Sequence, residues 1–448
     1  MVAFTVRETL AGYQAGSGLP SEAVLARLWA GQRFPTDALV TLAGAHVEVL
    51  HPGLRGRGAG PDFRHARVRM ADGLVRIGDV ELHVRATDFR AHGHHTDKRY
   101  DHVVLHVVFE DDIGADTLLS SGRRVPVVAL APWARRRAQD LSAWLLRPAR
   151  WRQPCHDAVQ RIGVENVRAT LEALGQRRFE DRVAALASKL EEKPGAGVLY
   201  EALLEGVSRG GGHGSDAYLM HTLPWSVLEP ALADGIETEA LLLGSAGWLP
   251  SQQGAHASGS YEILLEAGWQ AAGITSHVDP PKSSQRPANH PARRLAALAC
   301  LLKRHAGLLA GSGALAEALS LSNRSLIQEW TVPANEYWRA HVAPGRLARR
   351  SPGALIGRSR AIELLVNAVL PWATAVAYRA GDPRVARLAH SQFGALPTSA
   401  RYGRLAFLEE HLSHDGERLN LSARRQQGLL ALYKQECTQG GCGSCPFS

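Results

Sequence analysis

Short apolar runs near the start of this sequence constrain its fold more than any other feature. Two of them, LVRIGDVELHV (74–84) and HVVLHVVFE (102–110), are rich in valine and lie between turn residues. Runs of this length and composition predict β-strands. The earlier stretch SEAVLARLWAGQRF (21–34) instead has its apolar residues at helical spacing. We therefore expect a mixed α/β sheet domain over residues 1–136.

From residue 137 to residue 448 the pattern changes to long apolar stripes with the 3.6-residue period of α-helices. The clearest stripes run through residues 166–192, 292–307, 360–380 and 423–437. A chain of 448 residues is long enough for more than one domain. The predicted fold class is α+β, with an N-terminal mixed α/β sheet domain followed by a large, mostly α-helical region.

Three features of the sequence bear on the compartment in which the protein acts. The N-terminus lacks the basic and apolar regions of a signal peptide. No stretch approaches the ~18 uninterrupted apolar residues of a transmembrane helix. Five cysteines in 448 residues do not make the framework of a secreted, disulfide-rich protein. We expect a cytoplasmic protein without a membrane partner.

The chain is basic, with 51 Lys and Arg against 43 Asp and Glu and a formal net charge of +8. A basic excess favours polyanionic partners such as nucleic acid. A GC-rich genome, which encodes Arg and Ala freely, produces the same excess without any such partner. The charge alone therefore does not select a function.

Two acidic motifs point to a metal site. Asp62 follows the glycine-rich stretch PGLRGRGAG, and Glu81 and His83 lie further on in an otherwise apolar strand. A β-hairpin with one acid near the start of its first strand and another within its second brings both carboxylates to one divalent ion, and Mg²⁺ prefers oxygen ligands. A group two residues further on, here His83, can orient or deprotonate water. Asp79, on the same face, is interpreted as a solvent-facing acid at the start of the strand.

This arrangement resembles the PD-(D/E)xK nuclease superfamily over residues 20–110, with Pro61-Asp62 as the first element and Glu81-x-His83 as the second. The resemblance implies a nuclease-like fold in which Asp62 and Glu81 hold catalytic Mg²⁺ or Mn²⁺. The superfamily usually has Lys at the last position, where this chain has His83. A neutral imidazole lacks the fixed positive charge of Lys but can serve as a general base.

Two further residues correspond to positions of the same superfamily. Glu22, on the predicted first helix, matches an acid that many members place before the hairpin, and the resemblance implies that it completes the metal site. Members often carry Gln or Lys on the helix after the second element, and Lys98 is the nearest match in this chain.

A longer set of motifs resembles the bacterial family named domain of unknown function 2851. The set comprises GPDF (60–63), GDVELHVRATDFRAHGHHTDKRYDHVVLHVVFEDD (78–112), RPANHPARRLAALA (286–299) and the cysteine-rich end. This resemblance covers nearly the full length of the chain. It implies relatives, and it assigns no activity to them.

Histidines are concentrated in and between the two strongest predicted strands: His83, His92, His94, His95, His102 and His106. Imidazoles at this density bind Zn²⁺ or another transition metal, which needs three or four ligands. One interpretation is therefore a zinc hydrolase site built from His83, His92, His94 and Asp97. The metalloprotease motif HExxH is absent from the sequence.

The same segment has two other interpretations. In a nuclease, His92 and His94 would contact phosphate groups of nucleic acid together with the neighbouring Lys98 and Arg99. Alternatively, these side chains are merely polar residues of a solvated loop. The sequence leaves all three interpretations open.

The chain ends in a C-x₄-C-x₂-C pattern, Cys437, Cys442 and Cys445, followed by proline. Three thiols this close, with glycines between them, predict a metal-binding loop that needs a fourth ligand. Cys155 is the best candidate, whereas Cys300 lies among apolar residues and is interpreted as a core residue. The predicted group is an iron–sulfur cluster, which resembles the staple of RecB-like nucleases, or Zn²⁺. A tail with free thiols is the alternative.

These observations lead to one main hypothesis and two alternatives. The main one is a metal-dependent nuclease acting on DNA, whose basic stretches 134–137 and 346–350 contact backbone phosphates. The first alternative is a catalytically inactive nucleic-acid-binding protein on a nuclease-like fold. The second is a histidine-based zinc hydrolase.

Overall fold

The computed structural model describes residues 19–448 except 35, 57–58, 137–144, 146–148, 152–153, 209–214, 234, 276, 278–286, 307–311, 414–418, 440 and 443. The chain divides into two compact units. The first contains the described residues up to Thr170 together with Tyr402–Leu419 and Leu429–Ser448. The second contains Leu171–Arg401 and Asn420–Gly428.

The described secondary structure is mixed in the first part of the chain and mostly helical afterwards. The strands are β1 (Glu48–His51), β2 (Leu54–Arg55), β3 (Phe63–Arg69), β4 (Val75–Arg85), β5 (Val103–Glu110), β6 (Thr117–Leu118), β7 (Arg124–Val125), β8 (Val127–Ala129), β9 (His341–Ala343) and β10 (Arg346–Leu347). The helices are α1 (Glu22–Gly31), α2 (Asp88–Ala91), α3 (Ala131–Arg136), α4 (Ala158–Ile162), α5 (Val164–Glu192), α6 (Gly195–Ser208), α7 (Ser215–Thr222), α8 (Trp225–Leu228), α9 (Gly235–Ser245), α10 (Ser260–Ala271), α11 (Pro291–Arg304), α12 (Ser312–Leu319), α13 (Asn323–Glu329), α14 (Glu336–Ala340), α15 (Arg358–Leu364), α16 (Leu370–Ala380), α17 (Pro383–Ala395), α18 (Ala406–Leu412) and α19 (Ala423–Gln435). The fold class is α+β, as the sequence predicts.

The first unit is larger than the α/β domain expected over residues 1–136. The chain continues in this unit to Thr170 and returns to it near the C-terminus, where the 3₁₀ turn Cys437–Gln439 packs against β3. A boundary inferred from a change of apolar period detects where helices begin. It does not detect which later segments return to an earlier unit.

A mixed sheet with the strand order β1-β3-β4-β5-β8 forms the centre of the first unit. β3 pairs antiparallel with β1 and β4, whereas β5 pairs parallel with both β4 and β8. A parallel neighbour requires a crossover connection, and residues 86–102 provide it between β4 and β5 with α2 and two 3₁₀ turns. This crossover carries the histidine-rich segment back along the sheet.

Helix α1 covers one face of this sheet through the apolar stripe that the sequence predicts. Val24, Leu25, Leu28 and Trp29 are buried in one core with residues of β3, β4 and β5. Removing side chains of this size from water stabilises a fold by about 1.5–3 kcal/mol each. The stripe therefore fixes α1 over β4, and with it the position of Glu22 in the first turn.

Helices build the core of the second unit, chiefly α6, α9, α11 and the stretch from α15 to α16. A π-helical segment, Leu365–Val369, joins α15 to α16. The combined stretch, Arg358–Ala380, is long and apolar enough to cross a membrane by length and composition, but 78% of its apolar window is buried inside the protein. Such burial is what a core helix of a folded unit shows.

An irregularity in the β3–β4 hairpin sets the register around the acidic residues. Phe63 pairs with Val80 and Ala66 with Gly78, so that β3 contains one more residue than β4 between these pairs. This is a β-bulge, and His65 within it has a left-handed φ of 58°. The His65 N–H donates to Asp79 Oδ1 at 3.2 Å.

The environment of Asp79 corrects the expectation that it faces solvent. Its side chain is only 9% exposed, because the carboxylate accepts the hydrogen bond from the bulge. Asp79 therefore stabilises the local backbone of the hairpin. Glu81 and His83, further along the same face of β4, are buried as well.

Gly78 allows β4 and β5 to approach each other closely beside this bulge. A Cβ at position 78 would overlap Val104 Cγ1 and would lie 2.5 Å from the carbonyl oxygen of His102. Neither atom is the free end of a long side chain, so the two strands would have to separate.

We expect Gly78→Ala to lower the free energy of unfolding by about 1–3 kcal/mol, because overpacking at a fixed backbone is relieved only by strand displacement. Gly403→Ala is the control in the same unit, where a Cβ meets nothing within 4 Å. It should change stability by no more than about 0.5 kcal/mol. Chemical denaturation of the three proteins measures both effects, and equal stability of Gly78→Ala and wild type would contradict the close approach.

Candidate metal centre

Asp62 and Glu81 hold each other in place through two hydrogen bonds with the backbone. The Asp62 N–H donates to Glu81 Oε2 at 3.0 Å, and the Leu82 N–H donates to Asp62 Oδ2 at 3.1 Å. Asp62 lies just before β3 and Glu81 lies in the middle of β4. The hairpin thus brings the two carboxyl groups side by side, with Asp62 Oδ1 and Glu81 Oε1 outside these two bonds.

Glu22 lies near this pair, in the first turn of α1. Burial raises the pKa of the Glu22 carboxyl, His92 lowers it, and Asp62 raises it further. These effects require Glu22 to be close to both residues, because Coulomb interactions weaken with distance. The structure therefore brings the third predicted acid to the same place.

Three histidines complete the cluster around Glu81. The ligand nitrogens of His83, His92 and His94 all lie within 4.8 Å of one another. Glu81 Oε1 is 3.4 Å from His94 Nε2 and 3.7 Å from His83 Nε2. A metal ion binds imidazole nitrogen and carboxylate oxygen at about 2.0–2.2 Å, so a small inward shift of these side chains would place all of them around one ion.

The His83 ring is oriented by His106 and Thr117, whose supporting roles sequence reasoning missed. His83 Nδ1 lies 3.0 Å from His106 Nε2, and His106 Nδ1 lies 2.7 Å from Thr117 Oγ1. This series of hydrogen bonds directs His83 Nε2 towards Glu81. Histidines that bind metals usually have their second nitrogen held by such a partner. The sequence signal for His106 was its place on a buried strand, but only the parallel β4–β5 register shows that it lies opposite Glu81.

Aromatic side chains confine the imidazoles. The His94 ring stacks on Tyr100 with centroids 4.0 Å apart, and Phe89 packs edge-on against both His83 and His94. Phe89 lies in α2, directly after β4, and Tyr100 ends the 3₁₀ turn Lys98–Tyr100. The crossover therefore supplies two of the histidines together with the rings that fix one of them.

Burial determines the charges in this cluster. It raises the pKa of Glu81 to about 9, with Asp62 as the next contribution, and it lowers the pKa of His83 to about 2, with His106 next. At neutral pH the Glu81 carboxyl is then protonated and His83 is neutral. Neutral imidazole is the form that binds metals, and a nearby cation would favour the ionised form of Glu81.

The remaining predicted residues of this segment lie at its exposed edge. Asp97 accepts hydrogen bonds from the Arg99 side chain, at 2.8 and 3.0 Å, and from the Arg99 N–H at 2.9 Å. Asp97 is thus paired with Arg99 while it remains close enough to His94 to act on that imidazole electrostatically, and Glu81 Oε1 is the carboxylate oxygen that lies 3.4 Å from His94 Nε2. Lys98 and Arg99 are exposed on the turn that ends at Tyr100, and His92 is exposed as well.

The two basic stretches can be followed only in part. Residue 137 and the side chains of 134–136 lie outside the described residues. Within 346–350, which belongs to the second unit, Arg346, Arg349 and Arg350 are all exposed.

The four cysteines predicted as metal ligands all belong to the first unit, although Cys155 is distant in sequence from the other three. Cys155 and Cys437 are buried, whereas Cys442 and Cys445 are partly exposed. Burial raises the pKa of the Cys155 thiol to about 12, and Cys442 and Cys445 contribute next. The four thiols are therefore mutual neighbours. Cys300, in α11, packs against the helical core of the second unit, as expected.

The fold and the site together define an α+β protein with a carboxylate–histidine cluster on the central strands of a mixed sheet. A family model described as "Protein of unknown function (DUF2851)" matches residues 22–399, a range that includes the hairpin, the histidines and Cys155. The chain belongs to this family. No curated protein and no solved structure matches it.

We expect the full-length protein to bind Mn²⁺ and Zn²⁺ at this cluster. Glu81→Gln keeps the side-chain volume and removes the charge, so it should weaken binding by about 10–100-fold or more. Glu48→Gln is the matched control, because Glu48 is an exposed glutamate of β1 that pairs with Arg69, and its affinity should equal that of wild type. Isothermal titration calorimetry measures the three affinities, and equal losses of affinity in Glu48→Gln and Glu81→Gln would contradict this ligand set.

Proposed function

We propose that this protein is a metal-dependent nuclease that hydrolyses phosphodiester bonds in DNA, with Asp62 and Glu81 as ligands of Mg²⁺ or Mn²⁺. The observation that supports this proposal is the reciprocal pair of hydrogen bonds that sets the two carboxyl groups side by side on the hairpin. Their order along the chain and the position of His83 agree with the PD-(D/E)xK pattern. Glu22 contributes the third acid.

When bound, Mg²⁺ or Mn²⁺ would lower the pKa of a coordinated water and neutralise charge on the reacting phosphate. Asp62 and Glu81 fix the position of this ion, because each carboxylate is already anchored by a backbone N–H. Glu22 adds negative charge on the α1 side of the site. Anchored ligands of this kind need little rearrangement when substrate arrives.

His83 serves a different purpose from the lysine that it replaces. Its Nδ1 is engaged with His106, and its Nε2 faces Glu81. Burial keeps the imidazole neutral by lowering its pKa to about 2, so His83 does not supply a fixed positive charge. We assign it a ligand or water-orienting role through Nε2.

The surface around the cluster suits a phosphate backbone. His92 is exposed beside the cluster, and Lys98 and Arg99 are exposed on the neighbouring turn. The protein carries a net charge of +8. Basic and imidazole groups at the mouth of an acidic metal site can bind the phosphates that flank the scissile bond. DNA is therefore the proposed partner, and a cytoplasmic location is expected.

A histidine-based zinc hydrolase is the second candidate. It is favoured by the mutual approach of the His83, His92 and His94 nitrogens, since imidazole suits Zn²⁺ better than Mg²⁺. In this alternative Glu81 replaces the predicted Asp97 as the acidic member of the site.

Cleavage of a DNA panel by the full-length protein with Mg²⁺, Mn²⁺ or Zn²⁺ tests these assignments. Asp62→Asn and Glu81→Gln should each reduce the rate by at least about 100-fold, because either change removes a charged ligand from the site. Glu48→Gln, which alters an exposed glutamate of β1 in the same sheet, should retain the wild-type rate.

The other outcomes distinguish the alternatives. Cleavage that persists in both Asp62→Asn and Glu81→Gln would contradict the proposed site. Salt-sensitive DNA binding by wild type without turnover under any metal would identify an inactive nucleic-acid-binding protein. Hydrolysis supported by Zn²⁺ alone and abolished by His94→Ala would favour the second candidate.

A further inference from the structure

A second cluster of metal-binding side chains lies in the first unit, formed by the thiols of Cys155, Cys437, Cys442 and Cys445. Arg161 joins the two chain segments that carry them. Its Nη2 donates to the carbonyl oxygen of Pro154 at 2.9 Å and also to that of Phe447. One guanidinium therefore ties the residue before Cys155 to the residue two positions after Cys445.

The C-terminal loop is folded in a way that only particular residues permit. After α19, the chain enters the 3₁₀ turn that begins at Cys437, and the Gly441 N–H then donates to the carbonyl oxygen of Glu436 at 2.9 Å. A Cβ at position 441 would collide with the Glu436 side chain and would lie 3.2 Å from its Cα. The chain therefore packs closely on Glu436 at Gly441, immediately before Cys442.

The end of the chain is also fixed. The Ser448 N–H donates to the carbonyl oxygen of Cys445 at 3.0 Å, and the Cys445 thiol lies 3.1 Å from Ser448 Oγ. Phe447 is 1% exposed, which anchors the segment by apolar burial. The loop is therefore a folded element and not a free tail, and it presents three thiols to Cys155.

The four thiols lie near enough to one another to interact electrostatically. Cys437 interacts with Cys442, Cys155 and Cys445, and Arg67, on β3, lies close to Cys442. Four thiolates this close need a compensating positive charge.

We infer that Cys155, Cys437, Cys442 and Cys445 bind a [4Fe–4S] cluster that ties the C-terminal loop to the segment around residue 155. Four thiolates without nitrogen or oxygen ligands suit zinc or an iron–sulfur cluster. The thiolates around a single Zn²⁺ lie about 3.8 Å apart, given Zn–S bonds of about 2.3 Å in a tetrahedron. Among the described side chains, the group of three ligand atoms within 4.8 Å is His83, His92 and His94, and the cysteines form no such group. Their wider spacing fits a cluster in which each iron takes one thiolate.

This inference is independent of the proposed nuclease activity, since it uses none of the residues of the carboxylate–histidine cluster. Its test uses the full-length protein, purified and reconstituted with iron and sulfide without oxygen. Wild type should contain about four iron and four sulfide ions per chain and show visible charge-transfer absorption. Cys442→Ser and Cys445→Ser should lose most of both, and the partial exposure of these side chains makes folding tolerant of the change. Cys300→Ser is the matched control and should retain wild-type iron and sulfide.

Far-UV circular dichroism establishes that each variant is folded before its metal is measured. Stoichiometric zinc without sulfide, lost in Cys442→Ser and Cys445→Ser, would overturn the cluster in favour of a four-thiolate zinc site. Equal iron content in Cys445→Ser and Cys300→Ser would show that the iron is adventitious and would overturn the cluster. Wild-type protein that takes up neither iron nor zinc would overturn the site altogether.

Discussion

Two hydrogen bonds, from the Asp62 N–H to Glu81 and from the Leu82 N–H to Asp62, are the interactions on which the proposed site depends. Each uses a backbone N–H that, in a regular sheet, would donate to a carbonyl oxygen of the neighbouring strand. A buried N–H that finds such a partner avoids the cost of an unsatisfied donor, about 1–3 kcal/mol. The two bonds hold the carboxyl groups of Asp62 and Glu81 next to each other on the hairpin.

A bulge in β3 lies beside these two hydrogen bonds. An extra residue between Phe63 and Ala66 interrupts the regular pairing, and Asp79 compensates by accepting the His65 N–H. Bulges often re-aim side chains beside functional sites. In this hairpin Asp79 accepts a hydrogen bond from the bulge, and Asp62 and Glu81 accept hydrogen bonds from each other's strand. Each of the three carboxyl groups therefore has a backbone partner.

The parallel pairing of β4 with β5 adds the second part of the site. It sets His106 opposite Glu81, where the imidazole supports His83 from behind. The crossover that parallel pairing requires then returns His92 and His94 to the same end of the strands. The divalent cation that we propose would balance the charge of the buried carboxylates and would bind the neutral imidazoles.

Much of this could be predicted from the sequence, because the signals were local. The hairpin, the approach of Asp62 to Glu81 and the helical position of Glu22 follow from period and spacing. The supporting roles of His106, Thr117 and Tyr100 could not be predicted, since they arise from pairing across strands and from ring stacking. The pairing of Asp97 with its neighbour Arg99 also needed the folded turn to be seen. The return of the C-terminal segment to the first unit is a long-range contact that no local pattern encodes.

Anomalous diffraction from crystals soaked in Mn²⁺ tests the central claim most directly. We predict an anomalous peak bonded to carboxylate oxygens of Asp62 and Glu81 and to an imidazole nitrogen of His83 or His94, at about 2.0–2.3 Å. A fully occupied Mn²⁺ peak elsewhere in the protein, with none between these residues, would contradict it.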